Sequence, residues 1–178
     1  MDRKSHRYRT AIHEAGHAVI ARVLGIGCKY VILRQDGDST GHEIIPDLNE
    51  IYRDWERAGI HHRGNRSACR ARIIVFMAGA EAERACLGAA GVADAPDRHQ
   101  IDLMLESCLA ESAYARRVAA RLRAAARQLV RRHRPAIAHV AALLRAQRRL
   151  TQNRLDRAIR GARRWRKLGR LRISCGSS

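Results

Sequence analysis

Apolar residues recur in steps of three and four from residue 10 to residue 24, at Ile12, Ala15, Val19 and Val23, without a proline, and Gly25 and Gly27 follow. That spacing predicts an amphipathic helix closed by its glycines. The period then shortens. Tyr30 to Leu33 is a β-branched and aromatic run, Asp36, Gly37 and Asp38 form a polar turn, and a second run, His42 to Ile45, precedes Pro46. A small β-hairpin is expected there. Residues 47–58 suit a polar helix bounded by Gly59, and residues 60–65, with His61 and His62, a loop. Ser67 is the expected N-cap of a long helix reaching Leu87, with Ile73, Ile74, Met77, Ala80 and Ala85 as its buried stripe and Gly88 as its stop. Pro96 precedes a helix starting near Asp97, with Ile101, Leu105 and Leu109 on one face. Beyond Glu111 the pattern predicts helices separated at Pro135 and near Thr151, with Leu122, Leu129, Ile137, Val140, Leu143 and Leu144 in the core. The expected fold class is mainly α, with a small sheet near residues 30–46.

Composition agrees, because aromatics are scarce while alanine and arginine abound. At 178 residues the chain can bury one real core. Its formal charge of +18 is unevenly placed: residues 1–110 hold 15 basic against 15 acidic side chains, and residues 111–178 hold 20 against 2. Almost all the excess is arginine beside alanine, which a GC-rich coding bias also produces, so net charge alone assigns no nucleic-acid partner. The five cysteines, Cys28, Cys69, Cys86, Cys108 and Cys175, are odd in number, without a C-x-x-C pair. Reduced thiols in a cytoplasmic protein are the expectation. The longest apolar run, residues 73–80, is too short to span a bilayer.

The string with the most chemical content is His13-Glu14-Ala15-Gly16-His17, an H-E-x-x-H inside the first helix. Residues four apart lie on one helix face, about 6 Å apart along the axis, so two imidazoles can converge on one Zn²⁺. Glu14 then sits where a carboxylate can take a proton from the attacking water and return it to the departing amine. The small residues Ala15, Gly16 and Ala18 allow a second helix to approach closely. A catalytic zinc needs a third protein ligand and an open position. The extended motif with a glycine and a third histidine is absent, since Ile20 and Val23 stand at those positions. By chemistry alone Glu81, Glu83, Asp94, Asp97, His99, Asp102 and Glu106 all qualify, and spacing does not rank them. His42, His61, His62, His99, His133 and His139 read as surface or packing residues.

Four stretches together resemble the peptidase domain of the FtsH-type ATP-dependent zinc metalloproteases: AIHEAGHAVIARVLG at 11–25, VILRQDGDSTGHEIIP at 31–46, MAGAEAERACLG at 77–88 and DAPDRHQID at 94–102. Their order matches that family, and HEAGH is the specific element. The resemblance implies a zincin-like helical metallopeptidase domain over residues 1–160, its part from 111 to 160 rich in arginine, followed by a loose basic tail over 161–178. It implies Asp97 as the third zinc ligand and Glu83 as the group that orients a ligand from behind. It also implies that Gly41, His42, Glu43, Ile44 and Ile45 form an edge strand that binds extended polypeptide by β-addition. The departures are Ala80, Arg84 and Pro96, where the family has Arg, Glu and Asn, and the absence of any G-x-x-x-x-G-K-[ST] string. A ring of ATPase modules is not encoded in these residues, so a separate AAA unfoldase and a homo-oligomer are open as partners. The leading expectation is a zinc metalloendopeptidase acting on unfolded polypeptides. The alternative is a peptidase-derived binding module with a structural zinc and an arginine-rich surface for nucleic acid or an acidic partner.

Overall fold

The structure is a computed structural model, and it describes residues 3–33, 42–43, 47–57, 59, 65–90, 95–108 and 112–162. In chain order these form α1 (Arg3–Val23), β1 (Tyr30–Ile32), β2 (His42–Glu43), α2 (Leu48–Arg57), α3 (Asn65–Leu87), α4 (Ala95–Cys108), α5 (Ser112–Gln147), β3 (Arg149–Thr151) and α6 (152–162). The protein is mainly helical, as the apolar periodicity predicts.

The long helices α1, α3 and α5 pack against one another, and α1 supplies the centre of the main core. Residues Ala11, Ile12, Ala15, Ala18, Val19 and Ile20 are fully buried there. Close approach of α1 and α3 depends on Gly16. A Cβ at that position would lie 2.6 Å from the Ala82 Cβ and 2.7 Å from the Ala78 carbonyl oxygen. The small residues around the H-E-x-x-H string thus do what their size predicts. A smaller core joins α3, α4 and the first half of α5 through Ile73, Met77, Ile101, Leu105 and Leu122. Leu129 and Leu143, expected inside, are only partly buried against the main core.

The sheet is three-stranded, in the order β2-β1-β3, with both pairs antiparallel. Val31 pairs with Glu43 and with Leu150, so the predicted hairpin gains a third strand from beyond residue 148. That strand lies where the sequence suggested only a break between helices. Its pattern of exposed Arg149, buried Leu150 and exposed Thr151 is too short for periodicity to register. Arg148 turns the chain from α5 into β3 with φ of 59°, and its carbonyl accepts the Leu33 amide at 2.7 Å.

Five further expectations change. The break expected at Pro135 does not occur, and α5 runs through it. An interior proline costs about 3 kcal/mol. Val130, Ala136, Ile137 and Val140 lie on the same buried face either side of it, and burying each large side chain is worth about 1.5–3 kcal/mol. A continuous helix therefore wins. Next, α3 starts at Asn65, leaving Ser67 inside its first turn, and α4 starts at Ala95, so Pro96 occupies a first-turn position where no amide partner is needed. Helix α6 includes residues 161 and 162, which were expected to begin the loose tail. Finally, Cys69 is disulfide-bonded, whereas Cys28 and Cys86 are free. Five reduced thiols are therefore not what the fold holds, and the cysteines no longer argue for a reducing compartment.

The arginine-rich C-terminal part belongs to the main core through Val130, Val140, Leu144, Leu155 and Ile159. Arg22 of α1 grips Asp156 of α6 with two hydrogen bonds of 2.8 and 3.2 Å. Among the described residues no helix is long and apolar enough to cross a membrane.

Candidate metal centre

The face of α1 that meets α3 carries Arg9, His13 and His17, four residues apart, on a helix otherwise lined with alanine, valine and isoleucine. Both histidines are buried, and their rings meet edge to face with centroids 4.6 Å apart. Each ring is anchored through Nδ1. His17 Nδ1–H donates to the Val75 carbonyl at 2.7 Å, and His13 Nδ1–H donates to Glu83 Oε1, also at 2.7 Å. With Nδ1 committed, both Nε2 atoms point to one spot, the tautomer that metal-binding histidines require.

The third arm comes from α4. Asp97 Oδ2 stands 2.9 Å from His13 Nε2 and 3.1 Å from His17 Nε2. His13, His17 and Asp97 form a group able to hold a metal ion. The donor set fits zinc. Two imidazole nitrogens and one carboxylate oxygen are zinc ligands, and a tetrahedron with bonds of about 2.0 Å has edges of about 3.3 Å, close to the separations seen. Gly79 on α3 lets both rings lie against that helix, since a Cβ there would stand 2.5 Å from His17 Nε2 and 2.7 Å from His13 Cε1.

The fold separates the third-ligand candidates that spacing could not. His99, Asp102 and Glu106 are exposed on α4. Glu81 is buried but committed to Arg84 at 2.9 Å and Arg127 at 3.2 Å. Asp94 lies outside the described residues. Glu83, fully buried, stands behind His13, on the side of the ring away from Asp97. Asp97 also does not act as a helix cap, since it sits two residues inside α4.

The charges are mutually dependent. Burial opposes a charged His13, but acceptors on both ring nitrogens, Asp97 and Glu83, outweigh it and raise its pKa above the ordinary 6.5. Burial also opposes ionisation of Asp97, yet the two imidazoles facing it hold its carboxyl well below the ordinary carboxylate range. Behind them Arg9 donates to Glu83 Oε2 at 2.9 Å and to the Ala89 carbonyl at 2.8 Å. A chain of contacts thus runs from Arg9 through Glu83 and His13 to Asp97. Sequence reasoning missed Arg9, although its position four residues before His13 on an apolar face was a usable signal. Gly79 and the Val75 carbonyl carried no comparable mark.

Glu14 occupies the helix position between the two histidines and is buried, 6 % exposed. Of the expected polypeptide-binding segment, His42 and Glu43 form β2 at the edge of the sheet, while Gly41, Ile44 and Ile45 lie outside the described residues. Among the histidines expected to be bystanders, His99 and His139 are exposed and His133 is half-buried; His61 and His62 lie outside the described residues. No protein-family model and no curated protein sequence matches the chain.

Proposed function

We propose that this chain is a zinc metalloendopeptidase, similar to the FtsH-type peptidase domain, that hydrolyses peptide bonds in unfolded or flexible polypeptides. The observation that carries the reading is the convergence of His13 Nε2, His17 Nε2 and Asp97 Oδ2 on one spot, with each Nδ1 tied back to the scaffold. Three protein donors among the described residues suit a catalytic zinc, which keeps a position open, better than a structural one, which closes its shell with four. A zinc ion held by these three would supply a Lewis acid that polarises the scissile carbonyl and brings a water's pKa to about 7.

The protein's own groups do the rest. Glu14 takes the proton of the attacking water as its oxygen bonds to the carbonyl carbon, and delivers that proton to the nitrogen as the C–N bond breaks. Glu83 fixes the tautomer and angle of His13, and Arg9 holds Glu83 in position from its other oxygen. The outer edge of β2 suits an extended substrate segment, which would add as a strand through backbone hydrogen bonds with little regard for side chains. Folded substrates would need a separate AAA unfoldase.

The test is zinc content and casein cleavage, measured together for the protein and for Glu14→Gln. One zinc per chain in both, with cleavage lowered about 10²–10⁴-fold in the variant, is the expected result. Equal cleavage by the two would remove Glu14 from the mechanism. Zinc in both with cleavage in neither would favour a structural metal.

A further inference from the structure

Helix α5 carries nine arginines and no acidic residue along Ser112–Gln147. They are not spread evenly around it. At 100° per residue, Arg116, Arg123, Arg127, Arg131, Arg134 and Arg145 fall within an arc of about 80°, and all six are exposed. The residues that face the core, such as Leu122, Val130 and Ile137, centre about 100° away. The arginines therefore form one row along a flank of the helix. Arg127 shows which flank, because its Nε reaches back 3.2 Å to Glu81 of α3.

The row is long. It rises about 27 Å from Arg116 to Arg134 and about 43 Å to Arg145. Exposed Ala138 and Ala142 fill the interval before Arg145, so nothing bulky interrupts it. Apart from Glu81 beside Arg127, acidic side chains lie on other helices, with Glu50, Asp54 and Glu56 on α2 and Asp102 and Glu106 on α4. A random scatter of arginine from coding bias would not select one flank of one helix. A row of guanidinium forks suits a row of phosphates, which each fork can grip with two hydrogen bonds. Single strands are usually held by bases stacked on aromatic rings. On α5 the exposed aromatic among the described residues is Tyr114 alone, at the far N-terminal end.

We infer that this flank of α5 binds double-stranded nucleic acid through its phosphates, without reading base sequence. The surface is independent of the metal centre, so the peptidase reading can fail while this one stands.

The experiment is fluorescence anisotropy of a labelled, mixed-sequence 20-base-pair DNA duplex with the full chain. It compares the parent, Arg116→Gln/Arg123→Gln/Arg131→Gln, and a control of equal charge change elsewhere, Arg53→Gln/Arg66→Gln/Arg70→Gln. Circular dichroism checks that each variant is folded. With about six phosphate contacts, log K should fall against log salt with a slope of about −5, a loss of about 10³-fold between 50 and 200 mM. The α5 variant should lower the slope's magnitude by about 3 and the affinity near 100 mM by about 100-fold, and the control should do neither. Three results would overturn the inference: no salt-dependent binding by the parent, equal losses in the two variants, or displacement by poly-glutamate as effective as by unlabelled duplex. The last would assign the row to an acidic polypeptide.

Discussion

Helices α1 and α4 serve the same centre under opposite conditions. The stretch of α1 that carries His13 and His17 is enclosed by α3 and α5, with residues 11 to 21 buried throughout. Helix α4 buries only Ile101, Met104 and Leu105 of its described side chains, and Arg98, His99, Asp102, Leu103 and Glu106 face solvent. His13 and His17, the two proposed ligands on α1, are therefore fixed by the scaffold before any metal arrives. The third stands on a lightly packed element that the metal itself would help to hold. The difference separates what makes the fold from what completes the site.

Removing Asp97 should have the largest effect. Asp97→Ala is expected to weaken zinc binding by about a thousandfold or more, while leaving the metal-free melting temperature within a few degrees of the parent. In the parent, zinc should slow amide exchange in α4 far more than in α1, and Asp97→Ala should erase that contrast. Equal protection of the two helices would mean that α4 is as firmly built as α1. A smaller effect is expected at Arg9, which touches Glu83 and no proposed ligand. Arg9→Met should lower zinc affinity about 10–100-fold by freeing Glu83 and, through it, the His13 ring. Isothermal titration against a competing chelator measures this, and Arg9→Lys should recover only part of the loss, because both contacts leave the terminal Nη1, which the shorter lysine replaces in charge but not in reach.

The smallest effect is one of pH. His13 has a raised pKa, so in the metal-free protein it adds stability that is fully present below pH 6.5 and is lost as pH rises through the raised value. Asp97 has a depressed pKa, so its contribution is present above pH 3.8 and is lost as pH falls through the depressed value. Both operate between about pH 4 and 6.5. Zinc must displace the His13 proton, so its affinity should fall about tenfold per pH unit below the His13 pKa. Thermal melts from pH 5 to 8 should therefore show the metal-free form holding its stability in mild acid while the zinc-loaded form loses its advantage. Parallel curves for the two forms would detach His13 from the metal.

The same contrast explains what was legible in the sequence. His13 and His17 could be paired on sight because four residues make one helical turn, and local geometry needs no tertiary knowledge. Asp97 could not be ranked against six other side chains from spacing, since about 80 residues of chain separate it from His17 and only the packing of α4 on α3 brings them together. The resemblance implied it, and the fold sets it beside both imidazoles while His99, Asp102 and Glu106 are exposed. Long periodic helices were read correctly in kind. The errors fall where tertiary burial overrides local rules, at Pro135, or where an element is too short to have a period, at β3. The disulfide of Cys69 was missed because chain spacing alone does not say which cysteines meet.

The pairing of β1 with β3 sets an order in time. Residues 30–32 leave the ribosome early, yet their neighbour is residues 149–151. A nascent chain that has emerged as far as residue 110 already contains His13, Glu14, His17, Glu83 and Asp97. It still lacks α5, whose side chains cover α1, and the strand that completes the sheet. At 5–20 residues per second the missing portion takes about 2–8 s to arrive. On the proposed function, proteolytic competence would then wait for β3 and α6, seconds after the last proposed ligand.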